Sequence, residues 1–170
     1  MISKKMQDAI IEQIAAEFYS AHLYLSMAAY LESVDLPGFA HWMRIQYKEE
    51  LSHGVKFFEY VIERDGRSVV KTINAPEAEW KGPLDVFETS YKHEQKVTSL
   101  INNLVEIAQG EKDHATQIFL EWFVNEQVEE EASARKIIQQ LKMMGDSKAA
   151  LFQLDRELAQ RTFTPAPGTE

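Results

Sequence analysis

The sequence predicts an all-α fold, in which four long helices form a bundle and a short fifth helix follows. Apolar residues recur at helical spacing through four long stretches of the chain. Residues that interrupt helices are few, with 7 Gly and 5 Pro among 170 residues. At 45% hydrophobic residues, one domain of this length buries a substantial core.

Each predicted helix begins or ends at a recognisable signal. Pro83 suits the first turn of the third helix, whereas Gly66 and Gly145 terminate the second and fourth helices. We expect one domain over residues 1–161, followed by a flexible tail over residues 162–170. The predicted helices span residues 5–33, 38–65, 83–110, 114–144 and 147–161.

Loop lengths constrain how the helices connect. Short links after the first and third helices predict two antiparallel hairpins. The link over residues 67–82 is longer. Extended at about 3.3 Å per residue, it can travel the length of a helix of about 28 residues. This length predicts a long crossover between the second and third helices, and a loose surface loop is the alternative.

Composition excludes several classes of protein. A net charge of −9 argues against nucleic-acid binding, which needs a basic surface. The chain has no Cys, which removes disulfides, thiolate zinc sites and iron–sulfur clusters. Neither a signal peptide nor a membrane-spanning apolar run is recognisable. We therefore expect a cytoplasmic protein that binds neither membrane nor nucleic acid.

The interior-facing positions of the four long helices share one unusual feature. Apolar residues occupy both ends of each helix, whereas polar residues capable of binding a metal occupy the middle. Positions near mid-helix fall at one level of a bundle, whichever way each helix runs. The residues predicted to meet at this level are Glu17, Glu50, His53, Glu94, Gln127 and Glu130.

Buried carboxylates at one level repel each other unless cations neutralise them. Carboxylate oxygens with one imidazole and no thiolate favour iron or manganese over structural zinc. Glu50 and His53 share one helix face at i,i+3 spacing, which is a weak signal alone. A single interior His is more often an ordinary core residue, so the metal prediction depends on all four helices contributing.

Several longer motifs resemble those of the bacterial non-haem ferritins over essentially the whole chain. They are Glu17 with Tyr24, YKEELSH at 47–53, YKHE at 91–94 and WFVNEQVEEE at 122–131. The resemblance implies a ferritin-like bundle with ferroxidase activity, which oxidises Fe(II) with dioxygen or hydrogen peroxide. It also implies that 24 subunits assemble into a cage that stores ferric mineral.

The same resemblance implies roles for the central residues. Glu17, Glu50 and His53 would hold the first iron. Glu50 would bridge to a second iron, held also by Glu94 and more weakly by Glu130, with Gln127 lining the site. A third iron would bind nearby at Glu49, Glu126, Glu129 and Glu130. Without the resemblance, these outer acids would be interpreted as a solvated helix face.

Further expectations concern the surroundings of the site. We expect Tyr24 to have a redox or hydrogen-bonding role beside the metals, whereas Trp122 fits a packing role and an electron-donating role equally well. Ser52 aligns with the Met that binds haem in bacterioferritins, so no haem is expected. The other histidines, His22, His41, His93 and His114, are predicted to be surface or partner-facing.

Two rival functions stay open from the sequence. A di-iron oxygenase or peroxidase acting on an organic substrate would use a similar centre, although it usually has a second His ligand. A structural bundle with an incidental acidic layer is the non-enzymatic alternative. Iron retained per assembly separates the first rival from storage. Replacing Glu50 and His53 separates the second, since iron oxidation would then be unchanged.

Overall fold

The computed structural model describes residues 1–169 and contains five helices and no strand within that range. The all-α prediction is confirmed. The helices are α1 (Lys4–Ser33), α2 (Pro37–Glu63), α3 (Pro83–Glu111), α4 (His114–Met144) and α5 (Lys148–Leu158).

Local sequence explains where the helices start. Ser3, Asp113 and Ser147 precede α1, α4 and α5, and each side chain accepts a hydrogen bond from the backbone N–H three residues further on. Such caps satisfy donors that have no partner within the helix. Pro37 and Pro83 instead occupy the first turns of α2 and α3, where a missing N–H costs nothing.

The link between α2 and α3, residues 64–82, runs along α1. Near its start, the backbone N–H of Arg67 donates to Oε1 of Gln7 at 3.1 Å. Further on, the hydroxyl of Ser26 donates to the carbonyl of Glu77 at 2.6 Å. The link therefore travels from the beginning of α1 towards its end, which is the predicted long crossover.

The interior consists of two apolar clusters, one at each end of the bundle, separated by a polar layer. One cluster includes Leu31, Phe39 and Phe87, and the other includes Ile10 and Phe57. The buried polar side chains are Gln13, Glu17, Ser20, Gln46, Glu49, Glu50, Ser52, His53, Ser90, Glu94, Thr116, Gln127 and Glu130.

Helix α5 packs against the start of α2 through one carboxylate. Asp155 accepts hydrogen bonds from the backbone N–H groups of Gly38 and Phe39 at 2.8 and 3.0 Å. Leu36 at the N-cap of α2 makes no side-chain cap, so Asp155 supplies it from another helix. A Cβ at Gly38 would lie 1.7 Å from the carbonyl oxygen of Asp155, which explains the glycine.

The segment after α5 lies against the bundle in this structure. Ala166 is only 3% exposed, and its N–H donates to the hydroxyl of Ser52 at 3.1 Å. The ammonium of Lys56 donates to the carbonyl of Pro167 at 2.5 Å. The segment expected to be a flexible tail therefore has specific contacts with α2. Within the described part of the chain, no helix is long and apolar enough to span a membrane.

Candidate metal centre

Glu17 on α1 meets Glu50 and His53 on α2 inside the polar layer. Their ligand atoms all lie within 4.8 Å of one another, and each residue is almost fully buried. Oε2 of Glu50 lies 3.4 Å from Nδ1 of His53. The i,i+3 spacing on α2 thus points both side chains at the residue that α1 contributes.

Helix α3 contributes Glu94 to the same interior. The hydroxyl of Tyr24 donates a hydrogen bond to Oε1 of Glu94, and Nε2 of Gln127 donates to Oε2 at 3.1 Å. Tyr24 also lies 3.3 Å from the hydroxyl of Ser90. Both carboxylate oxygens of Glu94 therefore have a donor from a neighbouring helix, which orients the group.

Helix α4 contributes Glu130 beside Gln127. Nε2 of Gln46 donates to Oε2 of Glu130 at 2.8 Å. Glu130 and Glu94 are both close enough to Glu50 to raise its pKa through charge repulsion. All six residues that the sequence placed at this level are therefore buried in the polar layer, and only Glu17, Glu50 and His53 among them form a group within 4.8 Å in the described residues.

Some oxygen atoms in this layer lack a hydrogen-bond partner among residues 1–169. These are Oε2 of Glu17, Oε2 of Glu50 and Oε1 of Gln46, and all three are buried. A buried oxygen without a donor is costly. Since Glu17 and Glu50 also belong to the group within 4.8 Å, a cation would satisfy both carboxylates, and the site fits metal binding.

Burial raises the pKa of every carboxyl group in the layer. Removal from water raises the pKa of Glu17 to about 7 and the pKa of Glu50 well above its ordinary range, with repulsion from Glu94 and Glu17 adding to the latter. The pKa values of Glu94 and Glu130 are also raised, mainly by burial. Without metal, the layer therefore retains protons at neutral pH.

His53 shifts in the opposite direction. Burial, together with the charge of Lys56, lowers the pKa of His53 to about 4. The imidazole is consequently neutral at pH 7 and keeps a lone pair for a metal ion. Hard carboxylate oxygens with one nitrogen suit iron or manganese, as the sequence predicted.

Two aromatic residues border the site differently. Tyr24 is fully buried and hydrogen-bonds to Glu94, so its hydroxyl is part of the polar layer. The ring of Trp122 packs edge-on against the ring of His53, at 5.3 Å between centroids. The Lys56 ammonium lies 5.3 Å from the centre of the Trp122 ring. Trp122 thus packs against the ring of a candidate ligand.

The outer acids predicted for a third iron lie beside this centre. Glu49, Glu126, Glu129 and Glu130 line one cavity of about 380 Å³. Burial raises the pKa of Glu49 to about 7, and the nearby charge of Arg161 opposes that shift. Nη2 of Arg161 lies 2.5 Å from Oε2 of Glu49. The cavity therefore already contains one cationic side chain.

Sequence reasoning missed several contacts around the site. Nε2 of Gln13 donates to Oε1 of Glu17 at 2.7 Å, and its interior position one helical turn earlier is a signal that could have identified it. His93, expected to be surface or partner-facing, is half-buried, and its Nε2 lies 2.8 Å from the hydroxyl of Ser20. Arg161 carried no local signal, since a distant segment brings it to Glu49.

The long crossover and the converging carboxylates define a class of protein. This class is a four-helix bundle with a carboxylate and histidine centre suited to binding a metal inside one subunit.

The ferritin-like domain family matches residues 7–144, and the chain belongs to that family. The bacterial non-heme ferritin of Bacteroides fragilis is 48% identical over 161 residues, which cover 95% of this chain and 100% of the relative. The one from Staphylococcus haemolyticus is 41% identical over 163 residues, covering 96% of this chain and 98% of the relative. The resemblance to bacterial non-haem ferritins is therefore confirmed.

Solved structures agree with the family assignment. An engineered closed form of the Archaeoglobus fulgidus ferritin superposes with a TM-score of 0.95 at 52% identity, covering 96% of this chain and 100% of that one. An open pore ferritin from the same archaeon gives a TM-score of 0.94 at 52% identity, covering 95% and 99%. The bundle with its fifth helix is thus a ferritin fold.

Proposed function

We propose that this protein oxidises Fe(II) at a dinuclear site within each subunit and stores the ferric product inside a cage of many subunits. The main observation behind this proposal is the buried group of Glu17, Glu50 and His53. Two carboxylate oxygens of this group have no hydrogen-bond donor among the residues that the structure describes. Membership of the ferritin-like family supports iron as the metal.

The contacts support separate roles within the site. Glu17, Glu50 and His53 hold the first iron, because their ligand atoms already lie within 4.8 Å of one another. Glu50 also serves the second iron, together with Glu94 and, more weakly, Glu130. Gln127 lines the site and donates to Glu94 at 3.1 Å, so it orients that ligand.

The chemistry follows from the donor set. Each Fe(II) gives up one electron to dioxygen or hydrogen peroxide, and carboxylate oxygens favour the Fe(III) product. Protons held by Glu17 and its neighbours leave as metal binds, because their pKa values are raised in the metal-free state. Tyr24 fixes Glu94 by its hydrogen bond.

Other parts of the proposal extend beyond the dinuclear site. Glu49, Glu126, Glu129 and Glu130, which share one cavity, form a third iron site. Resemblance to bacterial non-haem ferritins supports a cage of 24 subunits, a cytoplasmic location and the absence of haem. The only other partners proposed are Fe(II) and the oxidant.

Controlled iron addition tests the proposal. Fe(II) added with dioxygen to the assembled protein should yield ferric iron that stays with the protein, in amounts far above a dinuclear site's capacity. Glu50→Ala should abolish rapid oxidation, whereas Glu59→Ala on the exposed face of α2 should not. Iron uptake that stops at the dinuclear sites would favour an oxygenase instead, and unchanged oxidation in Glu50→Ala would exclude the proposed centre.

A further inference from the structure

Arg161 is placed beside the outer acids by the segment that follows α5. Its Nη2 lies 2.5 Å from Oε2 of Glu49, and the pair is mostly shielded from water, with side chains 21% and 11% exposed. Glu126 and Glu130 also experience its charge, which lowers their pKa values against the effect of burial. The positive charge of one guanidinium therefore acts on several acids of the outer cavity.

Two further contacts hold Arg161 in this position. Its guanidinium stacks on the ring of Trp42 at 4.2 Å, a cation–π arrangement. Its backbone carbonyl lies 2.8 Å from Nε2 of His41. The main chain is therefore anchored on α2 through His41, and the guanidinium is held separately by Glu49 and Trp42.

The guanidinium of arginine is a permanently charged group. Arg161 holds this group 2.5 Å from Oε2 of Glu49. Its positive charge leaves the outer cavity only when the side chain itself moves away from Glu49. A lysine or histidine in the same place would be able to lose its proton instead.

We propose that Arg161 is a built-in counter-ion that occupies the outer acidic cavity, and that a third metal ion binds there only after Arg161 has swung away from Glu49. This inference depends on the proposed function, in which the outer acids hold a metal. It assigns Arg161 control over the third site, whereas Glu17, Glu50, His53 and Glu94 hold the dinuclear site without contacting Arg161.

Charge and geometry both indicate that the Arg161 guanidinium and a metal ion cannot lie beside Glu49 at the same time. A cation held by Glu49 and Glu130 would lie close to the guanidinium, and like charges at such distances repel strongly in a partly buried site. Oε2 of Glu49 already accepts from Nη2 of Arg161. An ion that uses the same oxygen must therefore displace the guanidinium.

Arg161 lacks a hydrogen-bond partner within the described part of the chain for one of its nitrogens in its position beside Glu49. This makes its displacement by a metal ion feasible. Within residues 1–169, its Nη1 is buried without a hydrogen-bond partner. A buried donor without a partner costs free energy that is recovered when the group reaches water. The ion pair with Glu49 is therefore weaker than a two-pronged arginine–carboxylate pair.

Zn(II), which does not change oxidation state, is a suitable probe. Calorimetric titration of the assembled protein should resolve the ions of the dinuclear site and a weaker third ion. In Arg161→Gln the third Zn(II) should bind about tenfold or more tightly, because the competing cation is gone. Arg161→Lys should stay near the wild type. Arg156→Gln, which removes a charge from the exposed face of α5, is the matched control.

Tryptophan fluorescence gives a second readout. The third Zn(II) should change the emission of the wild type, since Arg161 then leaves the face of Trp42, and this step should disappear in Arg161→Gln. The proposal is overturned if Arg161→Gln binds the first ions normally while its third ion is absent, equally weak or weaker. Loss of the first ions from the wild type would instead contradict the proposed function and remove the basis of this inference.

Discussion

Tyr24 on α1 donates a hydrogen bond to Glu94 on α3 in the centre of the polar layer. The phenol is fully buried, and burial raises its pKa well above the ordinary value, with repulsion from Glu94 adding to the shift. It therefore stays protonated and remains a donor at any working pH. This contact ties the orientation of one candidate iron ligand to a neighbouring helix.

Removing that donor should slow iron oxidation without unfolding the protein. In Tyr24→Phe, Glu94 keeps only the bond from Gln127, so we expect the initial rate of Fe(II) oxidation to fall about threefold to tenfold. Stopped-flow absorbance of the ferric product measures it. Tyr30→Phe, on the same helix and packed against Trp80, is the control. An unchanged rate would mean that orienting Glu94 does not matter.

Glu50→Gln should stabilise the metal-free protein while weakening metal binding. At pH 8 the buried Glu50 must either hold a proton against its ordinary pKa or stay charged beside Glu94 and Glu17, and the neutral amide avoids both costs. We expect a gain of about 1–2 kcal/mol at pH 8, which corresponds to about 2–8 °C in Tm for this chain length. Thermal unfolding with and without Fe(II) measures both effects. Glu59→Gln on the exposed face of α2 should change neither. A lower Tm for metal-free Glu50→Gln would contradict the expectation.

Stability of the metal-free protein should fall as pH rises from about 5 to about 8. The pKa of Glu17 is raised from 4.5 to about 7 by burial, so the folded state binds more protons than the unfolded state between these values. The pKa values of Glu50, Glu94 and Glu130 are raised as well. Stability from these groups is complete below pH 4.5 and is lost as each folded pKa is passed.

His53 has the opposite effect on stability over part of this pH range. Its pKa is lowered from 6.5 to about 4, so protonation destabilises the folded state as pH falls below 6.5. Because the carboxyl groups with raised pKa values outnumber His53, the free energy of unfolding of the metal-free protein should still fall as pH rises. Bound metal should make the stability depend less on pH, because it replaces the protons on the buried carboxyl groups. Denaturation midpoints at pH 5.5, 6.5 and 8 test this, and a metal-free protein that is most stable at pH 8 would refute it.

The contact between α5 and α2 should contribute measurably to stability. Asp155→Ala removes the cap on the N–H groups of Gly38 and Phe39, at a cost of about 1–2 kcal/mol. Helix α5 should then exchange its amide hydrogens faster than α1 does. Asp146→Ala at an exposed position before α5 is the control. Equal midpoints for the two variants would show that the cap is unimportant.

The sequence predicted most of the bundle because its signals are local. Helical periodicity, Pro83 and Gly145 identified the helices to within a few residues of α3 and α4. The length of the link over residues 67–82 predicted the crossover that Arg67 and Glu77 trace along α1. Acids near the middle of each helix were predicted to lie at one level of the bundle, because the rise per residue is constant in a helix.

Contacts between distant segments could not be predicted in this way. Arg161 was expected at the end of the fifth helix, but it reaches Glu49, which lies 112 positions away in the chain. His93 was expected to be surface or partner-facing, and its contact with Ser20, which the packing of α3 on α1 creates, was not predicted. Neither contact has a periodic signature, because each depends on how elements pack rather than on spacing within one helix.

By itself, the sequence determined the helices, their order and the acidic level in the interior, since backbone periodicity and the cost of burying charge act along single helices. Only the tertiary structure decided which donors orient each acid, as Tyr24 does for Glu94. It alone decided that the segment after α5 delivers a permanent cation to Glu49. Such pairings depend on rotation and offset between packed helices, which no single helix specifies.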